Sequence, residues 1–551
     1  MALPSLARAN HNGRIEQASS TISGLLNGLV GAFALDEESG SISKDRSWSM
    51  ADLTISNSVW NGPSVEFNAG NSRIAISKGI NFPSDLPHSS FTVFARICPH
   101  TTGGGGTGRI FDVRGSVVNA TGGFIFFTDG TSSLGAQIIA ANGTVLCQQR
   151  GASNQITLNS WNNVFCEWDA GITNKKTRIF NGASEITYGT DGTTTSLPGT
   201  TAADSPYLGN NYGLDRAFDG LIGVVYIWQR LLSSAEKAVV NSNPEWVLSE
   251  HNATLRLGAI SDSHYNTSDS GTQSCSKALD FIGDFASRMS TFKPHIVTVN
   301  GDLISNVADA ATAKLRIRSV LTALQGLNLI NLLIIGNHEF DDLTRDDIIA
   351  ERTSEYNYFE SGKLYGAREQ GNMKFIVIDD EYNAGVSGYP HIENSDGAGT
   401  VAIVPDGTNG SDNESGWISS ELEDIKPTVV LLHRDLSGVS LTGNSYFSAA
   451  ETFVRISNSA SIRGILESSN VVCVIEGHQH WFRVKIVNGM PYIIIPSLVD
   501  MVMRPDGSDK GQWVELLFCQ GYVVARYFTD DSIAGITMAR EILMPIPTVV
   551  V

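Results

Sequence analysis

The chain has 551 residues, 42% of them hydrophobic and 17% charged, which exceeds what one core can bury and predicts at least two domains. Its 57 acidic and 38 basic side chains leave a net charge of −19, which argues against a nucleic-acid module with a basic track. No apolar run reaches the roughly 18 residues of a membrane helix, so no membrane span is expected. The acidity is uneven: residues 1–250 hold 20 acidic and 16 basic side chains, and residues 251–551 hold 37 and 22. Six cysteines are scattered through apolar runs without a CxxC pair, which predicts buried thiols.

Residues 1–27 read as a polar arm. The apolar run Leu25 to Leu35 is broken by glycines and Asn27 and followed by Asp36, Glu37 and Glu38, so it predicts a first strand and not a secretion signal. From 28 to 247, short strands alternate with Gly, Asn, Ser and Thr clusters, as in Ser90–Ile97, Gly123–Phe127 and Gly220–Trp228; the pattern predicts an all-β sandwich. Gly28–Gly40, Val65–Asn68 with Arg73–Ile76, Trp161–Phe165 with Trp168–Gly171, and Phe218–Glu236 resemble a laminin-G-like, concanavalin-type jelly roll. Trp161 and Trp168 are expected in its core. The resemblance implies a lectin-like module with a glycan or other cell-surface ligand.

Residues 248–256 are read as a linker, and the period then changes. Leu279, Ile282, Ala286 and Met289 share one helical face, as do Ile317, Val320, Leu321 and Leu324. Continuous apolar runs lie between: Ile296–Val299, Leu332–Ile335, Phe375–Ile378, Val429–Leu432 and Val471–Ile475. Runs buried on both faces predict a covered α/β sheet over 257–551.

Five motifs begin where strands end: Ile260-Ser261-Asp262-Ser263-His264, Asn300-Gly301-Asp302, Gly336-Asn337-His338-Glu339, Leu432-His433 and Gly477-His478-Gln479-His480. Loops at the carboxyl ends of sheet strands converge on one crevice. Imidazole with carboxylate suits borderline divalent metals, and the set is large enough for two ions sharing one carboxylate. That chemistry is attack on a phosphorus ester by metal-bound hydroxide.

The ordered set resembles the calcineurin-like metallophosphoesterases over about 255–500, which implies a four-layer α/β sandwich behind the all-β jelly roll. Carried over by position, the resemblance implies that Asp262, His264, Asp302 and His480 hold one divalent ion, and that Asp302, Asn337, His433 and His478 hold a second. The ions would be Mn, Zn or Fe. His338 would protonate the leaving oxygen or bind the phosphoryl group, with Asn337 beside it. Ser305 stands where purple acid phosphatases carry Tyr. Gly-His-Gln-His differs from the Gly-His-Ser/Thr of 5′-nucleotidases, although Gly336–Asp341 resembles their run. The branch nearest in motif is that of cyclic-nucleotide and general phosphodiesterases.

The expected activity is hydrolysis of small phosphomonoesters or phosphodiesters, with the first domain targeting or assembling the enzyme. The alternative is a surface or virion receptor-binding protein, extracellular and homo-oligomeric, with an accessory phosphoesterase. Arg434 and Asp435 could touch substrate or form a solvated ion pair. The polar stretch 383–416, with His391, is long enough to overhang the site or to be a surface insertion.

Overall fold

The computed structural model describes residues 24–547 except 69, 78–87, 115–122, 141, 198–205, 249–250, 252, 272, 306, 308, 326–329, 352–358, 361, 384–400, 404–413, 440–455, 501–510 and 532–534. Most of the N-terminal arm, His391 and most of the 383–416 stretch therefore lie outside the described residues. The chain divides into two compact units, Met1–Glu250 and His251–Val551. No described helix is long and apolar enough to cross a membrane.

The first unit is a sandwich of an eight-stranded and a nine-stranded antiparallel sheet. Strands Leu53–Ser56 and Arg73–Ile76 alternate buried and partly exposed residues, as expected of strands with one face on a core. The central strands Phe91–Pro99 and Asp219–Trp228 are buried on both faces. Phe91, Val93, Ala95 and Ile97 point into the sandwich core. On the other face Phe94 stacks on Tyr226, with ring centroids 5.7 Å apart, and Trp246 lies 5.5 Å from Tyr226. The segment after the last strand thus supplies an outer cover.

That cover includes the helix Ser234–Ser242, started by a reciprocal capping box between Ser233 and Glu236. Its Lys237 is buried against Glu167, with Nζ 2.6 Å from Oε1. Burial raises the Glu167 carboxyl above its ordinary range, and Lys237 opposes that rise. Trp168 is 0% exposed, as expected, but Trp161 is 43% exposed. Trp161 precedes the strand Asn162–Trp168, and the Arg96 guanidinium lies over its ring at 4.9 Å, so it is not a core residue. All six cysteines are buried free thiols.

The second unit carries two six-stranded sheets. The first runs Ile330–Ile334, Ile296–Asn300, Leu255–Ile260, Gln512–Cys519, Tyr522–Asp531, Gly535–Pro545. Its first three strands are parallel and the rest antiparallel. The second runs Gly366–Gln370, Met373–Val377, Thr428–Leu431, Val471–Glu476, Met490–Ile494, Arg483–Val487, with the middle four parallel.

The helix Ala278–Phe292 buries Phe281, Ile282, Phe285, Met289 and Phe292. Its face is rotated toward the phenylalanines, leaving Ala286 half-buried, because the larger rings bury more apolar surface. The helix Ala310–Gln325 buries Ile317, Val320, Leu321 and Leu324, the stripe read from its period.

Replacing Lys237 with Met leaves Glu167 buried with only the Arg178 guanidinium, 3.9 Å away, to offset its charge. We expect a loss of about 3 kcal/mol from the first unit, read as a lowered urea midpoint of the full chain. An unshifted midpoint would contradict the role given to this pair.

Candidate metal centre

Every motif residue sits just beyond the carboxyl end of a strand. Asp262 and His264 follow Leu255–Ile260, Asp302 follows Ile296–Asn300, and Asn337 and His338 follow Ile330–Ile334. His433 follows Thr428–Leu431, and His478 and His480 follow Val471–Glu476. The two sheets thus deliver their loops to one place.

The loops turn sharply. Asp262, His264, Asp302, His478 and His480 have φ of 51°, 43°, 50°, 62° and 63°, in the left-handed region that non-glycine residues rarely adopt. Such strain persists where surrounding structure over-determines it, and it clusters at functional sites. Two glycines make room. A Cβ on Gly301 (φ 87°) would lie 2.3 Å from His433 Nδ1, and one on Gly336 would lie 2.3 Å from Asp302 Oδ1.

Donor atoms converge in three overlapping groups, each within 4.8 Å: Asp262 with Asp302, His433 and His478; Asp262 with His264 and His480; and His264 with Asp302 and His338. Asp302 Oδ2 stands 3.2 Å from His433 Nε2 and 3.8 Å from His264 Nε2. Asp262 Oδ1 is 3.4 Å from His480 Nε2. Two imidazole pairs face nitrogen to nitrogen, His264 and His480 at 3.1 Å, and His433 and His478 at 3.2 Å. Asp262 lies in reach of both ligand sets, and not of the first alone.

Asn337 Oδ1 is buried with no hydrogen-bond partner among the described residues. An orphaned amide oxygen, two carboxylates and facing ring nitrogens form a set that divalent cations satisfy. The residues present therefore fit two metal ions.

Supporting groups fix the ligand atoms. His433 Nδ1 lies 2.7 Å from the Asn300 carbonyl, and a proton donated there leaves Nε2 facing Asp302. His480 Nδ1 lies 3.0 Å from Asp500 Oδ2, which turns its Nε2 toward Asp262. Asp302 Oδ1 accepts the His338 N–H at 2.9 Å, and Asp262 Oδ2 accepts the His478 N–H at 3.1 Å. The buried Glu339 carboxylate accepts N–H groups of Asp302, Leu303, Ile304 and Gly336 at 3.1, 2.5, 3.3 and 2.8 Å, tying two ligand loops together.

His338 differs from the rest. Its side chain is 33% exposed, and its Nδ1 lies 2.6 Å from the buried Asp341 carboxylate. Burial works against its cation, but Asp302 and Asp341 outweigh burial and raise the imidazole to about 9. Burial holds His264 well below the ordinary histidine range.

Sequence reading missed Asp341, Glu339 and Asp500. Asp341 sits three residues after His338, a spacing that one tight turn brings together. Asp500 follows His480 by 20 residues with no motif to mark it. Arg434 is neither solvated nor open to substrate: it is buried, with Nε and Nη2 at 2.6 and 3.0 Å from Glu381. Asp435 is also buried, and accepts the Gly438 N–H at 3.1 Å.

Residues 68–236 match the family model of the concanavalin A-like lectin/glucanases superfamily, and residues 255–482 that of the calcineurin-like phosphoesterases. No curated protein matches the chain. Among solved structures, a dimetal phosphatase from Danio rerio aligns at 14% identity over 54% of this chain and 100% of its own, with a TM-score of 0.41. Trypanosoma rangeli sialidase aligns at 14% identity over 40% of this chain and 33% of its own, with a TM-score of 0.31. The binding domain of Paraclostridial Mosquitocidal Protein 1 aligns at 15% identity over 43% and 55%, with a TM-score of 0.32. The chain thus carries a concanavalin A-like domain followed by a calcineurin-like phosphoesterase domain, and the second makes it a metal-dependent phosphoesterase.

Proposed function

We propose that the second unit hydrolyses small phosphomonoesters or phosphodiesters at two divalent cations, Mn, Zn or Fe. Asp262, His264, Asp302 and His480 would hold one cation, and Asp302, Asn337, His433 and His478 the other. The supporting observation is the overlap of donor groups through Asp262 and Asp302. When bound, the cations supply an ionised water as nucleophile and neutralise charge on the phosphoryl oxygens.

The chain's own residues do the rest. Left-handed backbone and the Glu339 carboxylate hold the ligands in place before substrate arrives, so little reorganisation is needed during reaction. His338, oriented through Nδ1 by Asp341, presents Nε2 to the leaving oxygen and delivers its proton there. Its partial exposure supports approach of the ester from that side. The first unit is read as a carbohydrate-binding targeting module, with the family description of residues 68–236 as its support.

Hydrolysis of p-nitrophenyl phosphate and bis-p-nitrophenyl phosphate by the full chain should be abolished by a chelator and restored by Mn²⁺, Zn²⁺ or Fe²⁺. Full turnover in the metal-stripped protein, or in Asp302→Ala, would sink the dimetal reading. His338→Ala should lower kcat by about 10²–10⁴-fold. Asp341→Asn should lower it by about 10–100-fold while His338 remains; wild-type kcat in that variant would remove Asp341 from the mechanism.

A further inference from the structure

The segment Ser497–Asp500 touches two of the metal-centre residues directly. Ser497 Oγ donates to the Asp262 carbonyl at 3.0 Å, and Asp500 Oδ2 lies 3.0 Å from His480 Nδ1. The backbone repeats the contact, with the Leu498 N–H donating to the Ser261 carbonyl at 2.9 Å. Ser497 Oγ also accepts the N–H groups of Val499 and Asp500, at 3.3 and 3.2 Å. Its lone pairs meet those two donors, and its one proton goes to Asp262. Ser497 and Asp500 are both buried.

One side chain from the other sheet closes this segment. Gln512, also buried, opens the strand Gln512–Cys519. Its Nε2 donates to the Ser497 carbonyl at 3.0 Å and to the Asp500 carbonyl at 2.9 Å. Two carbonyls on one side demand the amide NH₂ there, which leaves Oε1 to accept the Tyr527 hydroxyl. Tyr527 pairs with Val514, two residues along from Gln512, so both side chains share a sheet face. The Tyr527 ring stacks on Phe482, with centroids 5.1 Å apart. A chain of hydrogen bonds thus runs from Tyr527 through Gln512 to Asp262 and His480.

This chain favours one of the two donor groups. Asp262 serves both, but His480 converges only with Asp262 and His264. The other group has separate supports: the Asn300 carbonyl fixes His433, and Glu339 fixes the loop of Asp302. An imidazole held at Nδ1 keeps Nε2 aimed before an ion arrives. Loosening the segment that carries Asp500 adds the cost of ordering that ring to ion binding.

On the two-cation reading above, we propose that Gln512 is a positioning residue for the metal centre. By closing the segment Ser497–Asp500 it sets the affinity of the ion held by His264 and His480, and not that of the ion held by Asn337, His433 and His478.

The test is Mn²⁺ titration calorimetry on the chelator-stripped full chain. The wild type should bind in two resolved steps. Gln512→Met, which keeps the side-chain length without its donors, should weaken one step about 10–100-fold and leave the other within about twofold. Asp500→Asn should weaken the same step. The double variant should lose less than the two single losses combined, because both act through His480. Arg526→Gln removes an ion pair with Glu541 from the neighbouring strand, and should not separate the two steps. Should Gln512→Met fail to fold, as judged by thermal melting, Tyr527→Phe removes only the hydroxyl bond and carries the same comparison. Unchanged Kd values in Gln512→Met, or equal weakening of both steps, overturn the positioning role. Full additivity in the double variant, or the same separation in Arg526→Gln, does so as well. A single wild-type step that weakens in Gln512→Met leaves the role of Gln512 standing and sinks the two-cation reading. No Mn²⁺ binding by the wild type overturns both.

Discussion

Two carboxylates and four imidazoles are held together where water is nearly excluded, and the second unit is organised around that charge problem. Asp262, Asp302, His264, His433, His478 and His480 are all buried. Facing ring nitrogens at 3.1 and 3.2 Å cannot both carry a proton toward each other, and buried carboxylates cannot stand uncompensated. Cations placed among them resolve both difficulties. The rest of the site follows from fixing those atoms: the outer oxygens of Asp262 and Asp302 are occupied by backbone N–H groups, and the remote nitrogens of His433 and His480 by a carbonyl and a carboxylate.

Much of this was legible in the sequence, for identifiable reasons. Strands such as Val471–Glu476, buried along their whole length, have a composition no surface element shares, so their ends and the motifs attached to them could be placed. The ligand types carry their chemistry with them. Asp500 was not legible, because it reaches His480 through a return of the chain that no spacing encodes. Arg434 misled because a charged residue beside a ligand reads as solvated or functional. Its partner Glu381 lies 53 positions away and shows only in three dimensions.

The first unit teaches the same lesson from the other side. Period-two alternation marks strands but not what covers their outer face. On that face Trp246 returns over Tyr226, and Phe94 packs between Tyr226 and Phe165. Trp161 lies beyond that cover and stays in solvent under Arg96, so two tryptophans seven residues apart meet opposite environments.

The left-handed backbone at five ligand positions has a further meaning for the energy landscape. At about 1 kcal/mol or more each, these conformations together oppose folding by on the order of 5 kcal/mol, a sizeable share of a domain's net stability. The sheets must supply that surplus for the ligand loops to keep their conformation. Cation binding repays the loops and not the sheets, so occupancy and local order rise together. Any change that loosens the sheets would then surface first as weaker metal retention, well before the fold itself gives way.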